Sequence, residues 1–566
     1  MSIRYYRWRY LAILIGVMVS TAVLTGALLV GDSVRGSLGR LSELRLGKTR
    51  WAMQPADHFF RSALASDLTR DLDLPIVPVL QLNGIGINPS TGSRLQDIQV
   101  VGANSRFSSL WSSSPVMPGR DEVIISENLA ARLGLTIGDA LLIRLPRMEK
   151  APQNAPFVTN EAPQTALRLT VIAIASEVGM GRFSLKSNQR APFNAFVFLD
   201  QLSSRVGLPG SANMLLGRGT GNDELSAAQL DKAFSLVWQM ADAGIRLIPL
   251  DDTGLLQLTT DRIFFDDQTV DAINATLPDA RQTLTYLATT LASNGKETPY
   301  SFVAAVDDGI LPVDILPGEI VVTDWLADDL GIIPGDSLYL IYFVMGPLRR
   351  LDVQQAGYRV TAIIPMHSVP YGDMMMPDFP GMSDAGNCSE WETGAPVDLD
   401  RIRDKDEAYW NRYKGTPKAF ISLEEGKRLW NNPFGTVTSF RFQTAANSAS
   451  LDSAIMAGLN PSWYRMKFHP VWEQGKYAAV NSTDFGGLFL SLSFFLIASA
   501  LLLTAMLFSL YARSRISEVG VLLGLGFRKQ LITRILFSEA LMVALPGVIL
   551  GSIGGILYNK LIIIGL

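Results

Sequence analysis

Three histidines, one cysteine and no phosphate-binding loop limit what this chain could catalyse. His58, His367 and His469 have no ligand-spaced partner, so a zinc site is not expected. Met374-Met-Met376, near His367, could offer thioether ligands to a soft metal. A flexible apolar loop packing on a partner or on lipid accounts for the same residues. Gly138-Asp139 and Gly335-Asp336 present carboxylates, but the Gly-Asp pair is ordinary turn chemistry. Asp404-Lys-Asp406-Glu-Ala-Tyr-Trp410, leading to Lys418-Ala-Phe, could bind a ligand, or could close a domain and enter a strand. A phosphate loop needs Gly-x-x-x-x-Gly-Lys-Ser/Thr. Gly524, Gly526 and Lys529 come nearest, and no Ser or Thr follows Lys529, so this chain is not expected to hydrolyse ATP. It has no Gly-x-Ser-x-Gly elbow, and its Ser, His and Asp residues support no triad. With Cys388 alone, no intrachain disulfide can form.

The absence of a catalytic constellation turns attention to the elements. At 566 residues the chain is too long for one core. A net charge of −4 gives no support for nucleic-acid binding. Positive mean hydropathy suits a chain that is part membrane and part soluble. Residues 486–511 read GGLFLSLSFFLIASALLLTAMLFSLY, longer than the run of about 20 apolar residues that spans a bilayer as a helix. A cationic link follows with Arg513, Arg515, Arg528, Lys529 and Arg534, then a second apolar run from Ile535. The predicted form is a helix, a basic loop and a helix, with the loop on the cytoplasmic side. Gly547, Gly551 and Gly555 lie four apart on one helix face, where small residues let backbones approach. Glu539 falls near the cytoplasmic entry of this helix. It either pairs with a link arginine or touches a partner subunit, or it stays at the headgroups in water.

At the other end, Arg4, Arg7 and Arg9 precede an uncharged stretch at 11–30. A cleaved signal peptide has the same charge order, but this run is full length, no A-x-A-like site follows it, and no cysteine marks a lipoprotein. An uncleaved helix with a cytoplasmic N-terminus is predicted. Val34, Leu38, Leu41 and Leu44 then recur at helical spacing, as in a stalk beyond the membrane or a short surface helix.

Between the ends no run can span a bilayer, which makes the middle one large extracytoplasmic insertion. It repeats itself. Glu122-Val-Ile-Ile-Ser126-Glu-Asn-Leu129-Ala130 runs through Leu133-Gly134 to Gly138-Asp139-Ala-Leu141. Glu319-Ile-Val-Val-Thr323-Asp-Trp-Leu326-Ala327 runs through Leu330-Gly331 to Gly335-Asp336-Ser-Leu338, 197 residues later. Each reads as strand, short helix, turn, strand. Ser126 and Thr323 are expected to cap their helices, and Gly134 and Gly331 to end them in the left-handed conformation. Weaker echoes are Arg168-Leu-Thr170 with Arg359-Val-Thr361, and Ala195-Phe-Val-Phe-Leu with Ala419-Phe-Ile-Ser-Leu. Segments 146–166 and 371–417 differ and are expected to be long loops.

Arg515-Ile-Ser-Glu518-Val-Gly520-Val-Leu-Leu-Gly524-Leu-Gly526-Phe resembles the signature that follows the second transmembrane helix of FtsX-like ABC transporter permeases. Glu539, in LFSEALM, fits the same pattern, and ALLVGDSVRGSL resembles the family's first-helix exit. Gly524 departs, because the family more often has Ala there, which lowers local helix propensity. The repeated middle resembles, in duplicate, the periplasmic core domain of MacB-like permeases.

The resemblance implies an α-helical membrane protein with a large extracytoplasmic α+β insertion between transmembrane helices 1 and 2. The expected divisions are 1–31 for the N-terminus and helix 1, 32–250 and 251–484 for the two α+β halves, and 485–566 for helices 2 and 3 with a coupling link at 512–534. The resemblance implies a fourth helix after the third, so the sequence is expected to be either the front part of a longer protein or an incomplete product. The implied function is the permease subunit of an ABC transporter in the bacterial inner membrane, serving export, lipoprotein handling or mechanotransmission. The chain itself would be non-catalytic and carry no cofactor, with ATP bound by a separate ATPase subunit. Expected partners are that ATPase, a second permease copy or relative, the membrane, and a periplasmic or outer-membrane protein, but no nucleic acid. Arg515, Glu518, Gly520, Leu522, Gly526, Phe527 and Arg528 are the expected docking residues, with charges that dock and glycines that allow close approach. The alternative is a membrane-anchored binding or scaffold protein without an ATPase, which leaves the link pattern without a role.

Overall fold

The computed structural model describes every residue except 1–6, 113–115, 153–154, 157, 159–163, 187–189, 220–225, 251–253, 347–349, 393, 395, 444–447, 482–484 and 566. The chain divides into a helical unit, Met1–Leu46, Ser184–Arg190 and Trp472–Leu566, and an α+β unit, Gly47–Phe183 and Ala191–Val471.

The helical unit begins with α1 (Arg7–Leu46), one unbroken helix of 40 residues. The apolar run and the predicted stalk are therefore a single rod. The side chains of Val34 and Leu38 lie outside the described residues.

The first half of the α+β unit runs β1 (Thr49–Met53), β2 (Phe60–Arg61), α2 (Leu64–Leu72), β3 (Ile76–Ile87), β4 (Arg94–Ala103), β5 (Glu122–Ser126), α3 (Glu127–Leu133), β6 (Ala140–Pro146), β7 (Gln164–Ala175), β8 (Asn194–Phe198), α4 (Leu199–Arg205), β9 (Ser211–Ala212), β10 (Met214–Arg218) and α5 (Ala227–Val237). The second runs β11 (Ile245–Pro249), β12 (Leu255–Thr260), α6 (Asp267–Thr276), β13 (Arg281–Ser293), β14 (Lys296–Val306), β15 (Glu319–Thr323), α7 (Asp324–Leu330), β16 (Ser337–Met345), β17 (Leu351–Ile364), α8 (Asp404–Tyr413), β18 (Ala419–Ser422), α9 (Leu423–Leu429), β19 (Ser439–Gln443) and α10 (Ser448–Gly458).

The closed part of the two sheets has one topology, and the second sheet carries one more outer strand. The first has order β1-β10-β3-β4-β8-β5-β7-β6 with β6 returning to β3, and the second β11-β12-β19-β13-β14-β18-β15-β17-β16 with β16 returning to β13. Six strands in each therefore close into a ring. The parallel pairs correspond as well: β4 with β8 and β14 with β18, β5 with β7 and β15 with β17. Even the register slip recurs, between Val123 and Ile124 and between Ile320 and Val321. The strand–helix–turn–strand order expected for 122–141 and 319–338 is what both segments adopt.

Details within the repeat diverge. Gly134 and Gly331 close their helices at φ 64° and 68°, where a Cβ would be strained. Thr323 accepts a hydrogen bond from the Leu326 backbone and caps α7. Ser126 does not cap α3: its hydroxyl donates to Asn128 Oδ1 and accepts from the Asn194 backbone N–H instead.

The halves are not separate globules. One core joins Phe60, Leu64 and Leu68 of the first half to Leu258, Phe440 and Ile455 of the second. The second sheet already begins with β11, upstream of the 250/251 boundary expected from sequence. Of segment 146–166, whose ends belong to β6 and β7, the described Ala151, Ala155 and Val158 are buried in the core of the second half. Segment 371–417 is not all loop. It contains α8, with Asp404, Asp406 and Glu407 in its first turn and Tyr409 and Trp410 buried. Acidic residues there match the helix dipole, a signal hidden in sequence by the surrounding Pro and Gly.

The rest of the helical unit is α11 (Val471–Asn481), α12 (Phe485–Ser514), α13 (Ile516–Gly524) and α14 (Lys529–Gly565). Among the described residues, two stretches, Phe494–Ser514 and Lys529–Tyr558, are long and apolar enough to cross a membrane. The apolar part of α1 described here, Tyr10–Gly26, is shorter. Phe495, Leu502, Met506, Met542 and Leu561 are among the apolar side chains these helices leave exposed.

Candidate coupling site

The cationic link expected as a loop is helical. α12 ends at Ser514, Arg515 leaves helical geometry at φ −111° and ψ 10°, and α13 starts at Ile516. α13 stops where Leu525, Gly526 and Phe527 donate their backbone N–H groups back to Val521, Leu523 and Leu522 at 3.0, 3.0 and 3.1 Å. Gly526 stands at φ +86°, and a Cβ on it would meet nothing within 4 Å. Its requirement is therefore the turn, not a close neighbour. Gly520 is also open within the chain.

The helix presents apolar side chains outward. Val521 is 63% and Leu525 70% exposed, and Ile516, Leu523 and Phe527 are exposed beside them. Arg528 is exposed, and Leu522 and Glu518 are half-buried. Arg515 is not on this surface: it is 5% exposed and turned inward. Its Nε donates to Glu518 Oε2 at 2.8 Å and its Nη1 to the Tyr511 hydroxyl at 3.0 Å, and its guanidinium pairs with Glu539. The Glu539 Oε2 atom also accepts from the hydroxyls of Tyr10 and Tyr511, both at 3.1 Å. Of the alternatives open for Glu539, the geometry is the ion pair with a link arginine. Sequence reasoning missed Tyr10 and Tyr511. The available signal was position: each stands at the basic end of an apolar run, level with Glu539.

The three seam glycines face α1. A Cβ on Gly547 would sit 3.1 Å from Val17, on Gly551 2.4 Å from the Met18 carbonyl oxygen, and on Gly555 2.8 Å from the Ala22 carbonyl oxygen. Small residues here bring two helix backbones together.

The other sequence candidates have structural work. The Asp139 carboxylate accepts from the Thr136 N–H and hydroxyl, which hold its pKa low, and Asp336 accepts from Asn294 and the Ile333 N–H with the same effect. His58 is buried, with Nε2 2.6 Å from the Asp242 carbonyl oxygen and Nδ1 3.2 Å from Arg262. Burial lowers its pKa to about 4. Cys388 is 2% exposed, and burial followed by Glu407 pushes its thiol up to about 12. Among the described residues, no cluster of His, Cys, Asp and Glu could hold a metal.

Residues 490–566 match the FtsX-like permease C-terminal family. The α+β portion is similar to the periplasmic region of MacB from Actinobacillus actinomycetemcomitans at 8% identity and TM-score 0.24, over 34% of this chain and 86% of that one. It is also similar to the extracellular domain of the noncanonic ABC-type transporter YknZ from Gram-positive bacteria, at 13% identity and TM-score 0.23, over 33% and 91%. A domain of a putative permease protein from Porphyromonas gingivalis gives 11% and 0.22, over 33% and 82%. A comparison with curated proteins finds no match. The FtsX-like match contains α13, the glycine seam and Glu539.

Proposed function

We propose that this chain is the membrane subunit of an ABC transporter, with α1, α12 and α14 crossing the bacterial inner membrane. The link helix α13 would face the cytoplasm and the α+β unit the outside. A separate ATPase subunit would bind ATP and dock on α13, while the permease pairs with a second copy or a relative. Closure of the ATPases would then shift the helices and drive work outside the membrane. The two α+β halves, alike in topology, would be copies of one ancestral unit. The observation that carries this reading is α13 itself, a helix in an FtsX-like segment with its apolar residues outward. Such a face needs cover, and a partner groove provides it.

The test is purification in detergent followed by identification of co-purifying chains. An ATPase subunit recovered in constant proportion supports the proposal, and its absence from an intact, folded preparation rejects it. A second reading is an anchored binding protein. It is favoured by an open cleft of about 430 Å³ lined by Arg246, Ile248, Gln257, Met374 and Lys414. Purification without an ATPase would favour this alternative.

A further inference from the structure

We propose that Tyr10, Tyr511, Arg515 and Glu539 form a latch that carries displacement of the link helix α13 to the N-terminal helix α1. This inference rests on the ATPase-docking role proposed for α13. The residues come from α1, α12, the α12–α13 junction and α14, and they converge on one carboxylate oxygen. Glu539 Oε2 accepts from Tyr10 and Tyr511 at 3.1 Å each and pairs with the Arg515 guanidinium. The two hydroxyl oxygens are 3.2 Å apart. Glu518, on α13, holds the same guanidinium from the other side at 2.8 Å. Tyr10, Tyr511 and Arg515 are each 5–6% exposed.

A charged cluster is a poor choice if its task is only to hold helices together. Apolar side chains of similar volume would hold them as well or better, whereas removing one member leaves a buried charge without its partner. The cluster is thus nearly all-or-none, as expected of a joint with discrete arrangements rather than a deformable one. Its position suits transmission. Arg515 stands at the break in helical geometry between α12 and α13, and Tyr10 lies near the start of a helix that runs unbroken to Leu46. At about 1.5 Å per residue that helix is a rod of roughly 60 Å. Along the rod, Gly547, Gly551 and Gly555 bring α14 against the α1 backbone without long side chains between them. The polar contacts at the Tyr10 end then fix the register of that seam.

The test uses the full chain with its co-purified ATPase, in a Cys388→Ser background. Ser20 and Thr504 have hydroxyls 3.1 Å apart on α1 and α12, so the Ser20→Cys/Thr504→Cys pair reports movement of α1 by disulfide cross-linking. Cross-linking yield should differ between nucleotide-free and ATP-trapped complexes. Tyr10→Phe, which removes one hydroxyl and no charge, should keep ATPase recovery and melting temperature but shrink that difference about fivefold, the low end of ordinary coupling factors. Glu539→Gln should shrink it too and lower the melting temperature, because it leaves the buried Arg515 short of its partner. An unchanged nucleotide response in both single variants overturns the latch while leaving ATPase docking intact. Equally, a wild-type complex that holds its ATPase yet shows no nucleotide response overturns it. Failure to recover any ATPase overturns the docking role and the latch with it.

Discussion

Gly551 of α14 lies directly against the α1 backbone at Met18: a Cβ on Gly551 would stand 2.4 Å from the Met18 carbonyl oxygen. A backbone atom cannot swing aside, so even Ala there must push the helices apart. Gly554, three residues on, would place its Cβ 3.8 Å from Ala22, an ordinary contact. Gly551→Ala is expected to cost about 1–3 kcal/mol, the usual range for overpacking, and Gly554→Ala little. Melting temperatures of the detergent-purified variants measure the contrast. Equal melting of the two would mean that the seam is not close-packed.

The repeat gives a second contrast. Thr323 caps α7, while Ser126 spends its hydroxyl on Asn128 and Asn194. Thr323→Ala should cost about 1 kcal/mol through the lost cap. Thr323→Ser should recover most of it, because the capping oxygen is kept. In Ser126→Ala the α3 terminus should be unaffected, and the loss should come from the buried Asn194 backbone N–H left without its acceptor. Chemical denaturation of the three variants decides the point.

Where structure was legible in the sequence, a local chemical demand stood behind it. Gly134 and Gly331 had to end helices and Asp139 and Asp336 had to brace turns, so the repeated segments could be read directly. The fate of Ser126 was not legible, because the competing Asn194 backbone is 68 residues away. Nor was the shared core, since Phe60 and Phe440 join one core through tertiary packing that no periodicity records. In the link, composition revealed the apolar face but not its direction. Arg515 reads as one more surface cation until Tyr10 and Glu539 are brought to it from opposite ends of the chain.

Lys418 gives the α+β unit a pH dependence. Its ammonium is 3.9 Å from Asp406 and lies 4.2 and 4.5 Å from the ring centres of Trp325 and Tyr409. Burial outweighs the carboxylate and lowers the lysine from 10.5 to about 7. Between those values the unfolded chain binds the extra proton, so stability rises with pH across that window and is flat below it. Melting temperature from pH 7 to 10 should climb for wild type relative to Lys418→Met. Parallel curves would show that Lys418 keeps its charge on folding throughout.

Cys388 cannot serve as a topology reporter, because it is 2% exposed and its thiol is held protonated by burial. An impermeant thiol reagent should leave the folded wild type unlabelled. In a Cys388→Ser background, Thr91→Cys lies on an exposed turn of the α+β unit and Ser517→Cys on the exposed side of α13. Intact spheroplasts should label the first at once and the second only after permeabilisation. The reverse order would invert the proposed topology.

The link helix is the place where the function can be tested most directly. Glu518→Lys would be an ambiguous probe, since Glu518 is bonded to the buried Arg515 and its loss also disturbs the Glu539 cluster. Val521 and Leu525 have no such role. They are 63% and 70% exposed, Val521 within α13 and Leu525 just past its C-terminal end. Two occupants could cover such a face: the bilayer surface, where an amphipathic helix lies flat, or a groove on a protein partner. The two make different demands on charge. Aspartate at both positions destroys an apolar contact with a groove, where a fully desolvated anchor is commonly worth about 2 kcal/mol or more. The same change at the membrane surface would alter local insertion but leave any ATPase docked elsewhere. Val521→Asp/Leu525→Asp is therefore expected to reach the membrane at wild-type levels and to lose the ATPase on purification, while Phe527→Ala alone should weaken recovery without abolishing it. Full recovery of the ATPase with the double variant would assign this face to lipid and move docking off α13.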